Sequence, residues 1–221
     1  RANKIASEGD AAFDRKDFYA ALIKYLEAYG INPNSEYLCN RLGIAYTQLN
    51  LYGEAGQYFR RAILLNKKYP YPHNNLGSIY FAQNNWRQAE KHFKKAISLN
   101  PNDASFHMNL GSVYFEKRKR EQAKAEWRRS LELDPEIFSK ESVASLSSSG
   151  SSLSERHFFL AGLMAAEGNT RAAIENLKLA FNNGFTDLDA IRTSADFDRI
   201  RKDEEFDRFL KDVAIWLKFQ P

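Results

Sequence analysis

The chain of 221 residues contains a single cysteine, Cys39, and this scarcity excludes several kinds of protein. One thiol cannot form an intramolecular disulfide, and a structural zinc site needs about four Cys or His ligands. We therefore expect Cys39 to be a small buried apolar residue. The sequence predicts neither a disulfide framework nor a zinc module.

Long apolar runs are also missing, and no stretch approaches the roughly 18 to 20 consecutive apolar residues that a membrane-spanning helix requires. Lysine and arginine number 32 against 28 aspartate and glutamate, so the formal net charge is only +4. A small excess of mixed sign does not indicate nucleic-acid binding. We expect no membrane insertion and no nucleic-acid partner. Because the sequence begins at Arg1, a targeting segment removed earlier would be invisible, and the compartment stays open.

Signatures of catalysis are absent as well. The sequence has no phosphate-binding glycine loop and no His-Glu metalloprotease motif. Ser149-Gly150-Ser151 lies in Ser-rich sequence without the strand-turn-helix context of a nucleophile elbow. We predict that the protein is not an enzyme and needs no cofactor.

What the chain does contain is an internal repeat of 34 residues. Hydrophobic residues make up 43% of the chain, enough for a folded core. Four series share the interval: Gly9, Gly43, Gly77, Gly111; Ala21, Ala55, Ala89, Ala123; Tyr25, Phe59, Phe93, Trp127; and Ala28, Ala62, Ala96, Ser130. Within a unit, apolar residues recur at spacings of three and four, which indicates helices with one buried face. Small residues would let paired helices approach, and large ones would fill the space between units.

The third unit shows the motif most completely. Its motif residues are Leu76-Gly77, Tyr80, Ala89, Phe93, Ala96 and Pro101. This pattern resembles the tetratricopeptide repeat (TPR), except that His73 stands where the family usually has Trp. The resemblance implies an all-α, right-handed superhelical solenoid of antiparallel helix hairpins, with about five repeats and a C-terminal capping helical segment.

The period also divides the chain into segments. Units one to four occupy residues 1–135, starting near residues 2, 36, 70 and 104, and residues 136–153 form a Ser-rich segment that we expect to be a flexible insertion. Residues 154–187 read as a fifth, degenerate unit, and residues 188–221 as a helical cap. The tail, with Gly184-Phe185 and Asp196-Phe197, resembles one that follows bacterial TPR arrays, which favours a bacterial TPR protein.

The resemblance implies that the first helix of each hairpin lines a concave groove that binds another protein or a peptide segment. The thirteen groove residues that we select are Tyr37, Asn40, Arg41, Ile44, Tyr71, Asn74, Asn75, Ser78, Phe81, Met108, Asn109, Ser112 and Phe115. Asn3, Asp10, Phe13, Gln48 and Ser105 occupy corresponding places. Some TPRs bind a C-terminal carboxylate with a clamp rich in lysine and arginine. Because Arg41 is the only basic residue of this set, the sequence does not predict such a clamp.

Four asparagines stand out in this set: Asn40, Asn74, Asn75 and Asn109. An asparagine amide can donate and accept, so a row of them can hold an extended guest backbone without reading its sequence. The same residues could instead bridge neighbouring helices. The sequence leaves both interpretations open.

Two other clusters have simpler interpretations. His73, His107 and His157 occupy the same place of their units, and we expect them to pack within the hairpins and not to bind metal. The basic run Lys117-Arg118-Lys119-Arg120 falls at a hairpin turn, where a solvated tip is favoured over a phosphate site.

The leading functional hypothesis is therefore a protein-protein interaction module or scaffold that binds an extended peptide or a partner helix. One alternative is a self-associating structural or assembly protein, in which the groove or the Ser-rich insertion contacts a second copy or fills the groove of its own chain. A further alternative is the adaptor portion of a larger enzyme or exported complex.

Overall fold

A computed structural model describes residues 1–138 and 150–219, with only the backbone given for residues 150–152. The chain divides into two compact units, Arg1–Ala144 and Ser145–Pro221. The described residues form twelve α-helices and one turn of 3-10 helix, without β-strand. None of these helices is both long and apolar enough to cross a membrane.

The first unit consists of four antiparallel helix hairpins. The helices are α1 (Ala2–Asp14), α2 (Phe18–Ile31), α3 (Glu36–Gln48), α4 (Tyr52–Leu65), α5 (Tyr71–Ala82), α6 (Trp86–Leu99), α7 (Ala104–Glu116) and α8 (Arg120–Leu133). The second helices α2, α4 and α6 also pack against the first helix of the next hairpin. The predicted stack of hairpins is therefore present in this unit.

The glycine and aromatic series of the repeat meet inside each hairpin. A Cβ atom on Gly77 would lie 2.6 Å from Cε1 of Phe93, and one on Gly9 would lie 2.7 Å from Cε1 of Tyr25. Phe93 and Tyr25 are themselves completely buried. The absence of a side chain at the glycine lets the aromatic ring of the second helix lie directly on the first helix. Cys39 is also buried, as predicted.

The turn within each hairpin has the same backbone geometry. Its central residue has a left-handed φ of 62° at Lys16, 61° at Asn50, 57° at Asn84 and 58° at Arg118. At the first turn, the N–H of Lys16 donates to the carbonyl of Phe13 at 2.8 Å, and the N–H of the next residue reaches back to the carbonyl of Ala12 at 3.0 Å. This is a Schellman motif, which ends the first helix and turns the chain into the second.

The second unit contains one hairpin and a terminal helical segment. Its helices are α9 (Gly150–Ala166), α10 (Thr170–Asn182), α11 (Leu188–Thr193), a 3-10 turn (Ala195–Phe197) and α12 (Glu204–Leu217). The turn between α9 and α10 repeats the left-handed geometry at Gly168, with φ 82°. Helix α9 begins within the range 136–153 that was predicted to be a flexible insertion, and residues 139–149 of that range lie outside the described residues.

Candidate peptide-binding surface

The first helices α3, α5 and α7 are joined by pairs of asparagine side chains. Nδ2 of Asn75 donates to Oδ1 of Asn40 at 3.0 Å, and Nδ2 of Asn109 donates to Oδ1 of Asn74 at 2.9 Å. Both bonds run from a later hairpin to the preceding one, and we call the two pairs the asparagine ladder. Bridging between neighbouring helices therefore uses one of the two polar atoms of each side-chain amide.

The amides of Asn74 and Asn75 each keep one polar atom that has no hydrogen-bond partner within the described residues. The ladder uses Oδ1 of Asn74 and Nδ2 of Asn75, which leaves Nδ2 of Asn74 as a donor and Oδ1 of Asn75 as an acceptor. Both side chains are half-buried, whereas Asn40 and Asn109 are only 5% and 8% exposed. Because each ladder bond fixes the orientation of the amide, helix α5 presents one donor and one acceptor side by side.

The one basic residue of the predicted groove, Arg41, belongs to a polar network. Its Nε lies 2.9 Å from Oδ1 of Asp10 and 3.0 Å from the hydroxyl of Tyr37. The hydroxyls of Tyr25 and Tyr37 each donate to Asp10 at 2.7 Å. Burial, assisted by the hydrogen bond to Asp10, raises the pKa of Tyr25, so this hydroxyl stays protonated. Asp10 thus supplies a counter-charge to Arg41, which argues further against a carboxylate clamp.

Two tyrosines provide the exposed apolar part of this surface. Tyr37 is 40% exposed and Tyr71 is 43% exposed. The ring of Tyr71 lies against Tyr69, with centroids 5.6 Å apart, and against Phe106 at 5.7 Å. A guest chain could bury part of these rings, and aromatic side chains contribute large apolar areas at interfaces.

The remaining predicted groove residues differ in accessibility. Ile44 and Ser78 are half-buried, while Phe81, Met108, Ser112 and Phe115 are buried together with Asn40 and Asn109. In this structure the accessible members therefore belong to α3 and α5. We call them the α3/α5 surface, and its residues are Tyr37, Arg41, Ile44, Tyr71, Asn74, Asn75 and Ser78.

The five residues at corresponding places lie outside that surface. Phe13 packs against Phe18, with ring centroids 5.1 Å apart, and Ser105 donates its N–H to the capping Asp103 at 3.0 Å. Asn3 and Gln48 are exposed to solvent. Asp10 takes part in the network with Arg41 described above.

The three histidines at equivalent places each contact the residue nineteen positions later, on the second helix of the same hairpin. Nδ1 of His73 lies 3.4 Å from Nδ1 of His92, and Nδ1 of His107 lies 2.7 Å from Oε2 of Glu126. His157 lies 3.3 Å from Oδ1 of Asn176. Among the described residues no group of three or more His, Cys, Asp or Glu side chains could hold a metal ion. These contacts are the packing within hairpins that the sequence suggested.

The basic run at the fourth hairpin turn is tied to the protein. Lys117 forms an ion pair with Glu90 of the preceding hairpin, and the guanidinium of Arg120 lies 3.9 Å from the ring centroid of Phe115. Burial alone would raise the pKa of Glu90, but hydrogen bonds from Lys117 and Lys94 lower it to about 2. Within the run, Lys117 is thus paired with a carboxylate, while Arg118 and Lys119 are exposed, as expected of a solvated tip.

The sequence placed Asp10 in the groove but did not reveal its pairing with Arg41. The two residues are 31 positions apart and lie on neighbouring first helices. The pair could have been predicted from the opposite charges of two residues at facing positions of adjacent units. The direction of the asparagine ladder had no such signal, because it depends on the relative position of two helices.

Comparison with known proteins agrees with this architecture of paired helices. A family model described as TPR repeat matches residues 77–118, and one described as tetratricopeptide repeat matches residues 37–69 and 104–137. No curated protein sequence matches the chain.

Solved structures align over most of the chain. PilF of Pseudomonas aeruginosa is 19% identical, with a TM-score of 0.65 over 98% of this chain and 90% of that protein. A thermophilic TPR protein of Thermus thermophilus is 18% identical, with a TM-score of 0.61 over 97% of this chain and 100% of the other. YrrB, described as a TPR protein with an unusual peptide-binding site, is 17% identical, with a TM-score of 0.53 over 83% and 87%.

The fold and the repeat motifs define a protein built from stacked helical hairpins. The chain is a tetratricopeptide repeat protein, and its structural neighbours are bacterial TPR proteins. The predicted fold class is thereby confirmed. TPR domains are protein-interaction scaffolds, and the matching family models describe the repeat and no enzyme.

Proposed function

We propose that the protein is a non-catalytic scaffold whose α3/α5 surface binds an extended polypeptide segment of another protein. The observation that carries this proposal is a pair of amide atoms without a partner among the described residues, the donor Nδ2 of Asn74 and the acceptor Oδ1 of Asn75. A peptide backbone needs one of each, so the pair fits a main chain without requiring a particular sequence.

The surroundings of this pair supply the rest of a peptide site. Tyr37 and Tyr71 offer partly exposed rings for a guest side chain, and the charge of Arg41 is offset by Asp10. Each hydrogen bond should contribute about 0.5 to 1.5 kcal/mol net. Several such bonds with one or two buried side chains suit an affinity in the micromolar range, about 8 kcal/mol.

The test begins with selection of 12-residue peptides displayed on phage against the intact chain. A selected peptide is then titrated calorimetrically against the wild type and Asn74→Asp. The carboxylate can still accept the ladder bond from Asn109, but it has lost the amide donor that faces the guest. We expect about tenfold weaker binding, since an unpaired guest carbonyl costs about 1 to 3 kcal/mol.

The matched control is Asn182→Asp on α10, which makes the same change of charge on an exposed helix position of the second unit. This variant should bind the peptide like the wild type. If Asn74→Asp also binds like the wild type, the asparagines only bridge helices and the proposal fails. Circular dichroism of both variants confirms that the helix content is unchanged.

A further inference from the structure

The outward face of α2 has a different character from that of the other second helices. It comprises Tyr19, Ile23, Leu26 and Gly30, and we call it the α2 outer face. Tyr19 is 71% exposed, Ile23 65% and Leu26 38%. The opposite side of the same helix, at Ala21, Tyr25 and Ala28, is completely buried in the first unit. Helix α2 is therefore apolar on both sides.

The repeat supplies an internal comparison, because the equivalent positions of the four other hairpins are also solvent-exposed. The equivalent residues are Gly53, Gln57, Arg60, Leu64 on α4; Arg87, Lys91, Lys94, Ser98 on α6; Glu121, Ala125, Arg128, Glu132 on α8; and Arg171, Glu175, Lys178, Asn182 on α10. These faces are mostly charged or polar, as expected for helix surfaces in water. An apolar face at this one location of the repeat is the kind of surface through which proteins contact other molecules.

The spacing of the α2 outer face is suited to a second α-helix. Its residues follow each other at intervals of four, three and four, the alternation of a coiled-coil seam. The seam also contains its own complement. In an antiparallel pair of α2 helices related by a two-fold axis, Tyr19 would lie against Gly30 of the second copy, and Ile23 against Leu26. Apart from the adjacent residues and the backbone of the helix itself, nothing lies within 4 Å of the position that a Cβ on Gly30 would occupy, so an incoming ring has space there.

The charges beside the seam are already paired within the chain. Nζ of Lys24 lies 2.8 Å from Glu8 and 3.6 Å from Glu27. Two such faces can therefore meet without bringing an uncompensated charge into the contact. We propose that two copies of this chain associate through the α2 outer face, with the α2 helices antiparallel about a two-fold axis.

The size of the face sets the strength of this association. From their exposed fractions, Tyr19, Ile23 and Leu26 present about 350 Å² per copy, hence about 700 Å² for the pair. Stable specific interfaces bury at least about 1,200 Å². The dimer is therefore weak and reversible, with a dissociation constant on the order of 10 to 100 µM.

Sedimentation velocity of the full chain between about 5 and 500 µM, a range that brackets this dissociation constant, measures the association directly. Ile23→Lys and Leu26→Glu should each remain monomeric throughout. The fold tolerates such charges, because Lys91 and Lys94 occupy the equivalent positions on α6. Mixing the two variants should restore dimers. In the mixed pair the lysine introduced at residue 23 of one copy faces the glutamate introduced at residue 26 of the other, and the native contact between Leu26 and Ile23 remains on the other side of the axis.

Two further variants separate this arrangement from general apolar adhesion. Leu64→Lys removes an apolar side chain that is 71% exposed on the outward face of α4, and it should leave association unchanged. Gly30→Leu adds apolar surface but fills the space for Tyr19, so it should weaken the dimer about tenfold or more. Stronger association of Gly30→Leu, a wild type that stays monomeric at the highest concentration, or a mixture that does not dimerise would each overturn the proposal. None of these outcomes depends on peptide binding at the α3/α5 surface.

Discussion

The shared turn geometry of the hairpins predicts that replacement of Lys16 by glycine stabilises the protein. Lys16 is exposed and adopts a φ of 62°, a region that costs a residue with a Cβ atom about 1 kcal/mol or more. Glycine avoids this cost but gains freedom in the unfolded chain worth about 0.4 to 1 kcal/mol. The expected net effect is therefore a stabilisation of about 0.5 kcal/mol.

The assay is thermal and urea unfolding followed by circular dichroism. For a chain of this length about 0.5 kcal/mol corresponds to an increase of about 1 to 2 °C in Tm. Lys16→Val, whose branched side chain suits this region least, should lower stability by about 1 kcal/mol. The control is Lys67→Gly, at an exposed turn residue without positive φ, which should not stabilise. Equal effects of glycine at Lys16 and Lys67 would refute the conformational argument.

Two further predictions concern the third hairpin. Burial foremost lowers the pKa of His73 and that of His92, the latter to about 4, so the folded state resists protonation. The contribution of His92 to the free energy of unfolding is then fully present above about pH 6.5 and is lost as the pH falls towards 4. The difference between its pKa values in the unfolded and folded states corresponds to about 3 kcal/mol, and solvent screening of the half-exposed ring reduces this to about 1 to 2 kcal/mol. His92→Gln should flatten this pH dependence of urea unfolding, and an unchanged profile would assign it to other groups. Gly77→Val should destabilise by about 2 kcal/mol or more, because its side chain would collide with the buried ring of Phe93. A native-like Tm for Gly77→Val would contradict that packing.

The periodic sequence was sufficient to predict the helices and their pairing. A glycine and an aromatic residue sixteen positions apart, such as Gly77 and Phe93, can meet only if the chain folds back into a hairpin. The position of the rings was only partly predicted, since the large residues were expected between units and these rings lie on the glycine of their own hairpin. Helical periodicity and close packing within a hairpin involve residues that are near each other in the sequence, so both can be predicted from a single sequence.

The sequence did not predict the details that depend on how two hairpins are positioned. The donors Asn75 and Asn109 occupy one position of the repeat, and the acceptors Asn40 and Asn74 occupy the position just before it in the preceding unit. Either asparagine of a pair could have served either role. The burial of Met108 was equally invisible, since its place in the repeat is that of the accessible Asn74. Lys16 shows the same limit, because closure of the turn imposes its left-handed backbone against the preference of the residue.

The ladder also gives the α3/α5 surface a polarity. Both of its bonds run from the later helix to the earlier one, so Asn74, which keeps a donor, is the residue bonded to α7, and Asn75, which keeps an acceptor, is the residue bonded to α3. An extended backbone has a direction of its own, and reversing it exchanges the positions of its N–H and carbonyl groups. A guest held by these two amides would therefore lie across α5 in one N-to-C direction, whatever its sequence.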